Sequence, residues 1–467
     1  MSATGAGSVT VQDAIDRIGF GRFQLGLLAV CGFTWAADAA EIFLLAFALP
    51  AITEDFGLST FESSLVVSST FVGMLCGAWF WGTIADRIGR RTGFSITIGV
   101  FAVFGLLSAF APSALWLGVL RFMTGFGLGG AVPLDFSLFA EYLPRRNRGR
   151  WLVILESFWG VGTVLAALLA WIIVPNWGWR PLMATSAIAG LLIFWVRLRI
   201  PESPRWLAAN GRQEEAEGIL RRIARANGKA VEQIKLAAPR AAEAGAHSVK
   251  QLWSRQLVRS TVMLWLAWFF IALAYYGLFS WLPTIFFERG FDFVKTYSYT
   301  FILAAAQLPG YFSAAWLVEK WGRKRTFVIY LAFSAVFTWL YAVVTNTGLI
   351  VGAAVLMSFF ALGAWACLYA YTPELYPTAI RTTGMGAASG MARVAGVLAP
   401  ILGGVLIPLS LEAALTLYAL SFAAAALAVG ILGRETKSEA LADTFDETRR
   451  FERTGSTEPA RERVAIS

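Results

Sequence analysis

The sequence predicts an all-α membrane protein, with twelve transmembrane helices arranged as two pseudo-symmetric six-helix bundles. Three observations carry that expectation. Of 467 residues, 57% are hydrophobic and 15% are charged, and the mean hydropathy is +0.62, outside the range that soluble globular chains sustain. The apolar residues gather in twelve runs, each near the roughly 20 residues that a helix needs to cross about 30 Å of hydrocarbon. A pattern of charged loops occurs twice, at an offset of 233 residues.

In chain order the expected spans are 24–49, 62–84, 92–110, 113–138, 150–173, 178–197, 258–286, 296–318, 326–345, 348–371, 382–407 and 411–432. The opening stretch "MSATGAGSVTVQDAIDRIGFGRFQ" is polar and lacks an apolar core before a cleavage site, so no removable signal peptide is expected and the first span is retained. With the N-terminus inside, the short inner loops hold twelve basic residues between Arg87 and Arg381, and the outer loops hold three, Arg180, Arg289 and Lys295. That bias places both termini in the cytoplasm. It also accounts for much of the +9 net charge, so nucleic acid is not an expected partner; the lipid bilayer is. Cys31, Cys76 and Cys367 fall inside spans without metal-ligand spacing and read as packing residues. The single histidine, His247, sits in a soluble loop, which excludes a histidine proton relay in the membrane.

The repeat rests on two pairs of segments. "GTIADRIGRRTGF" (82–94) and "AWLVEKWGRKRTF" (315–327) align Asp86 with Glu319, Gly89 with Gly322 and Arg90 with Arg323, while "EYLPRRNRG" (141–149) and "ELYPTAIRT" (374–382) align Glu141 with Glu374 and Arg148 with Arg381. Both pairs share the register of 233. The expected units are therefore a bundle over 1–197, an inter-bundle loop with short helices over 198–257, a bundle over 258–433 and a disordered tail over 434–467. Within the loop, "GRQEEAEGILRRIARANGK" reads as an amphipathic helix solvated on the inner face.

Halves of this kind are the pattern of transporters that rock about a midplane site. The loop "GTIADRIGRR" and the repeat together resemble the major facilitator superfamily over nearly the whole chain, and "PESPRWL" (201–207) resembles the signature that follows helix six in its sugar-porter and organic-ion branches. "GRETKSEAL" (433–441) is similar, more weakly, to the signature after helix twelve. Asp86, Glu141, Glu202, Glu319, Glu374 and Glu435 can pair with arginines such as Arg90, Arg148, Arg323 and Arg381, latching the two halves in the outward-open state and breaking when it closes. The plainer alternative is that these charges only set topology.

Ionisable residues inside spans are costly and are functional candidates by default. They are Asp38 and Glu41 in the first span, Arg121 and Asp135 in the fourth, Glu156 in the fifth and Arg393 in the eleventh. Asp38 and Glu41 are three residues apart and share a helix face about 5 Å from each other. Close carboxylates disfavour double ionisation, so one of them can carry a proton; the alternative for each is an ion pair with Arg121. The resemblance implies that Arg121 pairs with the helix-one acid. The glycines of "RFMTGFGLGG" (121–130) lie inside an apolar helix rather than between a strand and a helix, so they read as close packing and not as a nucleotide fingerprint. Asp135 and Glu156 are left between the cytoplasmic charge network and a proton exit path.

Arg393 stays charged in any environment, at about +2.5 to +3.5 kcal/mol for an arginine at mid-helix, which an anionic partner offsets. The partner is either internal, Asp38 or Glu41, or the substrate. "YTPELYPTAIRTTGMG" with "MARV" (371–394) resembles helices ten and eleven of the organic-anion transporters, and the resemblance implies that Arg393 engages an anion. Residues 127–171 resemble the synaptic-vesicle glycoprotein family and the bacterial niacin transporters. Trp35, Trp159, Tyr275, Tyr276, Trp281, Tyr369 and Tyr371 fall on helices that line the cavity in this superfamily, where a flat ring can stack; the alternative is anchoring at the lipid interface.

The expectation that follows is a monomeric, proton-coupled importer of a small organic anion, with nicotinate or another aromatic carboxylate first, in a bacterial inner membrane. No cofactor is expected. The competing readings are a sugar and proton symporter, which gives Arg393 nothing to pair with, a drug antiporter, which lacks its helix-five signature, and a nutrient sensor that has kept the fold. An enzyme is disfavoured, because no nucleophile, base and orienting group occur together.

Overall fold

A computed structural model describes residues 9–130, 132–229, 234–236, 249–377 and 380–437. The side chain of Asp86, His247 and the tail from residue 438 onward lie outside the described residues.

Helix accounts for nearly all of the described chain, and the twelve spans are present. The first three are Arg22–Phe56, Thr60–Ile88 and Arg90–Ser108. The fourth is broken: Ala114–Leu128 is followed by a π-helical turn, Val132–Phe136, and a last turn, Ser137–Glu141. Gly129 and Gly130 loosen the helix there, and Pro133 has no N–H to continue the ladder. The fifth span is Arg148–Trp177, and the sixth is Trp179–Ala184 with Ser186–Arg199. The seventh, Val258–Ser280, turns at Trp281 into Leu282–Glu288, where Pro283 starts the new helix. Phe293–Trp321, Arg323–Val343, Thr347–Tyr371, Arg381–Leu406 and Leu411–Leu432 complete the second half. Large apolar side chains such as Trp79, Leu115, Leu409 and Ile431 are exposed around the outside, as lipid contact requires. Cys76 joins that outer surface, whereas Cys31 and Cys367 are packed inside.

Close helix packing explains the glycines of the fourth span. A Cβ on Gly125 would stand 1.9 Å from the Thr70 carbonyl oxygen, so only glycine lets the second and fourth spans meet there. Gly77 likewise abuts the Phe126 carbonyl at 2.1 Å, and 233 residues later Gly310 abuts the Phe359 carbonyl at 2.0 Å. Between the halves, Ser68 Oγ donates to the Val397 carbonyl (3.0 Å), Tyr297 Oη to Phe47 (3.0 Å) and Tyr311 Oη to Val153 (2.6 Å).

Two short helices lie on the charged face. The polar stretch 11–18 forms a helix capped by Thr10. Its Asp13 and Asp16 hold Arg145, at 3.0 and 3.2 Å. The amphipathic helix, Gln213–Ala226, buries Ala216, Leu220, Ile223 and Ala224 instead of standing free in solvent. Asn227, just beyond it, accepts from Phe23 N and donates to the Gly19 carbonyl and Gln24 Oε1, tying it to the start of the first span.

Candidate functional site

On the charged face, the third and ninth spans start after Gly89 and Gly322, whose φ values of +91° and +105° suit glycine. Such a start leaves backbone N–H groups without helical partners. Glu202 accepts from Arg91 N at 3.1 Å, and Glu435, at the 233 offset, accepts from Arg323 N at 2.7 Å. A second layer repeats the match: Ser203 Oγ donates to Glu141, which faces Arg90 at 3.7 Å, and Thr436 Oγ1 donates to Glu374 (2.6 Å), which faces Arg323 at 3.1 Å. Glu319 adds a further contact to Arg323 at 2.9 Å.

These described pairs clamp loops within one half; the latch between halves expected in the outward-open state is not among them, in a structure whose outer side Phe43 closes. The reason is local: each signature acid returns to the helix start of its own repeat. Two of the expected arginines also find other partners. Arg148 donates to Gln12 Oε1 (2.6 Å) and the Leu143 carbonyl (3.1 Å), and Arg381 donates to the Pro373 (2.8 Å) and Tyr376 (3.3 Å) carbonyls.

Deep in the first bundle, Arg121 Nη1 meets Glu41 Oε1 at 2.6 Å and Nη2 meets the Glu41 carbonyl at 3.0 Å. Both side chains are buried. Glu41 points toward the third span, close to Gly105 and Ser186. Asp38, one turn earlier on the same helix, faces elsewhere. It is 2% exposed, and among the described residues neither of its oxygens has a hydrogen-bond partner. Arg121 thus takes the Glu41 carboxylate, the ion-pair alternative for that residue, and Asp38 lies within electrostatic reach of Asp135, Arg393 and Glu41. Asp135, on the π-helical turn, is fully buried with the Cys31 thiol beside it. It does not join the charge network of the loops.

Between the bundles lies a cavity lined by Trp35, Glu156, Trp159, Trp268, Tyr275, Tyr276, Trp365, Tyr369, Ser389, Ala392 and Arg393. Phe43 closes it on the side away from the charged loops, with its ring 6.1 Å from Tyr275 and 6.2 Å from Trp159 and Phe279. Toward the charged loops, Phe136 of one half stacks on Tyr369 of the other at 6.0 Å. Glu156 stands in the cavity wall and not in the loop network. The Arg393 guanidinium contacts Met74 Sδ at 3.8 Å, and no described hydrogen bond or ion pair joins it to Asp38 or Glu41, the partners expected for it at rest.

Most of the aromatics expected in the cavity are there: Trp35, Trp159, Tyr275, Tyr276 and Tyr369. Tyr371 is not, because its side chain turns to the charged face and donates to the Arg434 carbonyl. Trp281 is not either; its indole donates to the Pro400 carbonyl at 3.1 Å. Trp268 and Trp365 were missed, although the sequence signals both. Trp268 is the 233-offset partner of Trp35, and Trp365 lies one helical turn before Tyr369. The same offset pairs Glu156 with Ser389 and Trp159 with Ala392. Among the described residues no cluster of His, Cys, Asp or Glu could hold a metal ion.

Residues 21–448 match the family described as "Sugar (and other) transporter". The niacin transporter NiaP of Acinetobacter baylyi is 38% identical over 91% of this chain and 98% of its own length. The synaptic vesicle 2-related protein of Xenopus laevis is 35% identical over 93% of this chain and 82% of its own. Among solved structures, the partially occluded inward-open xylose transporter XylE of E. coli superposes with a TM-score of 0.74 at 20% identity, over 90% of this chain and all of that one. At that identity the likeness establishes the fold alone.

Proposed function

This chain belongs to the sugar (and other) transporter family of the major facilitator superfamily, and from that premise we propose that it imports a small aromatic carboxylate, nicotinate foremost, together with a proton. Membership makes it a multi-pass membrane transporter and not an enzyme. The observation that carries the substrate class is Arg393: a permanent cation at the wall of an aromatic cavity, with a thioether as its described neighbour. A carboxylate fits the planar guanidinium fork, and a flat ring fits between tryptophans and tyrosines. The niacin transporter at 38% identity supports the same choice.

The proton is assigned to Asp38, with Asp135 beside it, since Glu41 is engaged by Arg121. Proton and anion enter together from the side that Phe43 closes in this structure, and the halves rock about the cavity. The proton leaves to the cytoplasm with the substrate, and the charged loops and both termini face that compartment in a bacterial inner membrane. A hydroxyl-rich neutral sugar is the weaker fit, because it leaves Arg393 without an anion.

The test is radiolabelled nicotinate uptake and nicotinate binding by Arg393→Ala. Loss of both is expected, with nicotinamide not competing in the parent protein. Wild-type uptake by that variant overturns the assignment.

A further inference from the structure

The polar atoms of the cavity fall into two groups. One is satisfied internally: Trp159 Nε1 donates to Tyr275 Oη at 3.3 Å, Tyr275 Oη to Gln307 Oε1 at 3.1 Å, and Trp268 Nε1 to Thr372 Oγ1 at 3.1 Å. The other group is left over. Among the described residues, Glu156 Oε2 and Trp365 Nε1 are buried without a hydrogen-bond partner of normal geometry. The Trp35 indole N–H faces the Glu156 carboxyl without closing such a bond, and Arg393 has the Met74 sulfur at 3.8 Å as its hydrogen-bond contact. Buried polar groups are ordinarily paired. When several unpaired ones line one cavity, they describe what a ligand has to supply.

Arg393 requires an anion and the Trp365 indole an acceptor, while the Trp35 indole has the Glu156 carboxyl before it. Glu156 is the remaining group, and it is 4% exposed. It comes from the fifth span and Arg393 from the eleventh, so a ligand that touches both bridges the two halves. The groups that face Glu156 are Arg393, Tyr275 and Tyr276 of the seventh span, Tyr311 of the eighth, Tyr369 of the tenth and the Trp35 indole of the first. Asp38 lies one turn beyond Trp35, within electrostatic reach of Asp135, Arg393 and Glu41.

We propose that Glu156 selects among aromatic carboxylates, donating a hydrogen bond in its protonated form to an acceptor atom in the ligand's ring while Arg393 holds the carboxylate. The preferred class is then a nitrogen heteroaromatic carboxylate over a plain benzoate. This rests on the reading of Arg393 given above. Charge and lone pairs both require it. A carboxylate ligand beside ionised Glu156 would set two anions against one guanidinium in a cavity walled by aromatic rings. A neutral ring nitrogen carries an outward lone pair, which a carboxylate cannot bond and a carboxylic acid can.

The test uses the full-length protein in detergent, with dissociation constants for nicotinate and benzoate measured by calorimetry across pH. The wild type is expected to prefer nicotinate by about tenfold, the size of one buried hydrogen bond left unpaired, and to lose that preference as pH rises. Glu156→Gln keeps an N–H donor, so its preference persists and no longer depends on pH. Glu156→Leu binds the two ligands about equally; Glu156→Met takes its place if the leucine variant elutes aggregated. A leucine or methionine variant that retains the preference, or a glutamine variant that loses it, overturns the proposal. Equal binding by the wild type overturns the role of Glu156 and leaves the carboxylate reading intact. Binding of neither acid, or binding unaffected by Arg393→Ala, overturns both.

Discussion

On the charged face, Glu202 and Glu435 cap the starts of the third and ninth spans, while Ser203 with Glu141 and Thr436 with Glu374 repeat the next layer. In the interior, the same 233 offset pairs Glu41 with Ala274, Arg121 with Ala354, Asp38 with Ile271 and Arg393 with Gly160. The face is duplicated and the interior has diverged. Both halves make the same glycine turn and leave the same helix-start donors open, so both keep the same acid to close them. The interior meets an asymmetric load: in the reading proposed here, a proton on one side and a carboxylate on the other.

The largest way to test this comparison is Glu41→Ala. It strands Arg121 as an uncompensated buried charge and should cost about 3–5 kcal/mol of stability, seen as a large fall in the thermal unfolding temperature. Replacing both residues by alanine, as the second half has done at Ala274 and Ala354, should recover much of that loss; a double variant no more stable than the single one would show that the pair does more than satisfy itself. Next in size are Gly77→Ala and Gly310→Ala. Each drives a methyl against a backbone carbonyl and should cost about 1–3 kcal/mol. Equal penalties would confirm that the packing repeats, whereas a large one beside a silent one would break the symmetry. Glu202→Ala and Glu435→Ala should each cost about 1 kcal/mol, the scale of a lost helix cap, and by the same amount in both halves. Asp38→Asn is the smallest in stability, since the carboxylate has no partner to lose. Its unfolding temperature should hold and nicotinate should still bind, while uptake falls to the level measured without a proton gradient; retained proton-driven uptake would move the proton elsewhere.

How much was legible follows the range of each interaction. Span positions and the repeat depend on local composition, and both could be read directly. Arg393 was found because a charge in an apolar run is conspicuous. Its neighbours were harder. Residues three apart on a helix differ by about 60° in direction, enough to bring Glu41 to Arg121 and leave Asp38 out of that ion pair, though in sequence they look like one pair. Tyr371 and Tyr369 are two apart and point to different sides, so only one of them reaches the cavity. Trp268 was readable from the register of Trp35, had the offset been applied within the spans as well as to the loops.

By itself, the sequence determined that this chain lies in a membrane as twelve helices in two repeated halves, because hydrophobic length and motif spacing act along the chain. Only the tertiary structure decided which buried charges are paired and which stand open to a ligand. That depends on how each helix is rotated against its neighbours, and the rotation is set by packing across the whole bundle.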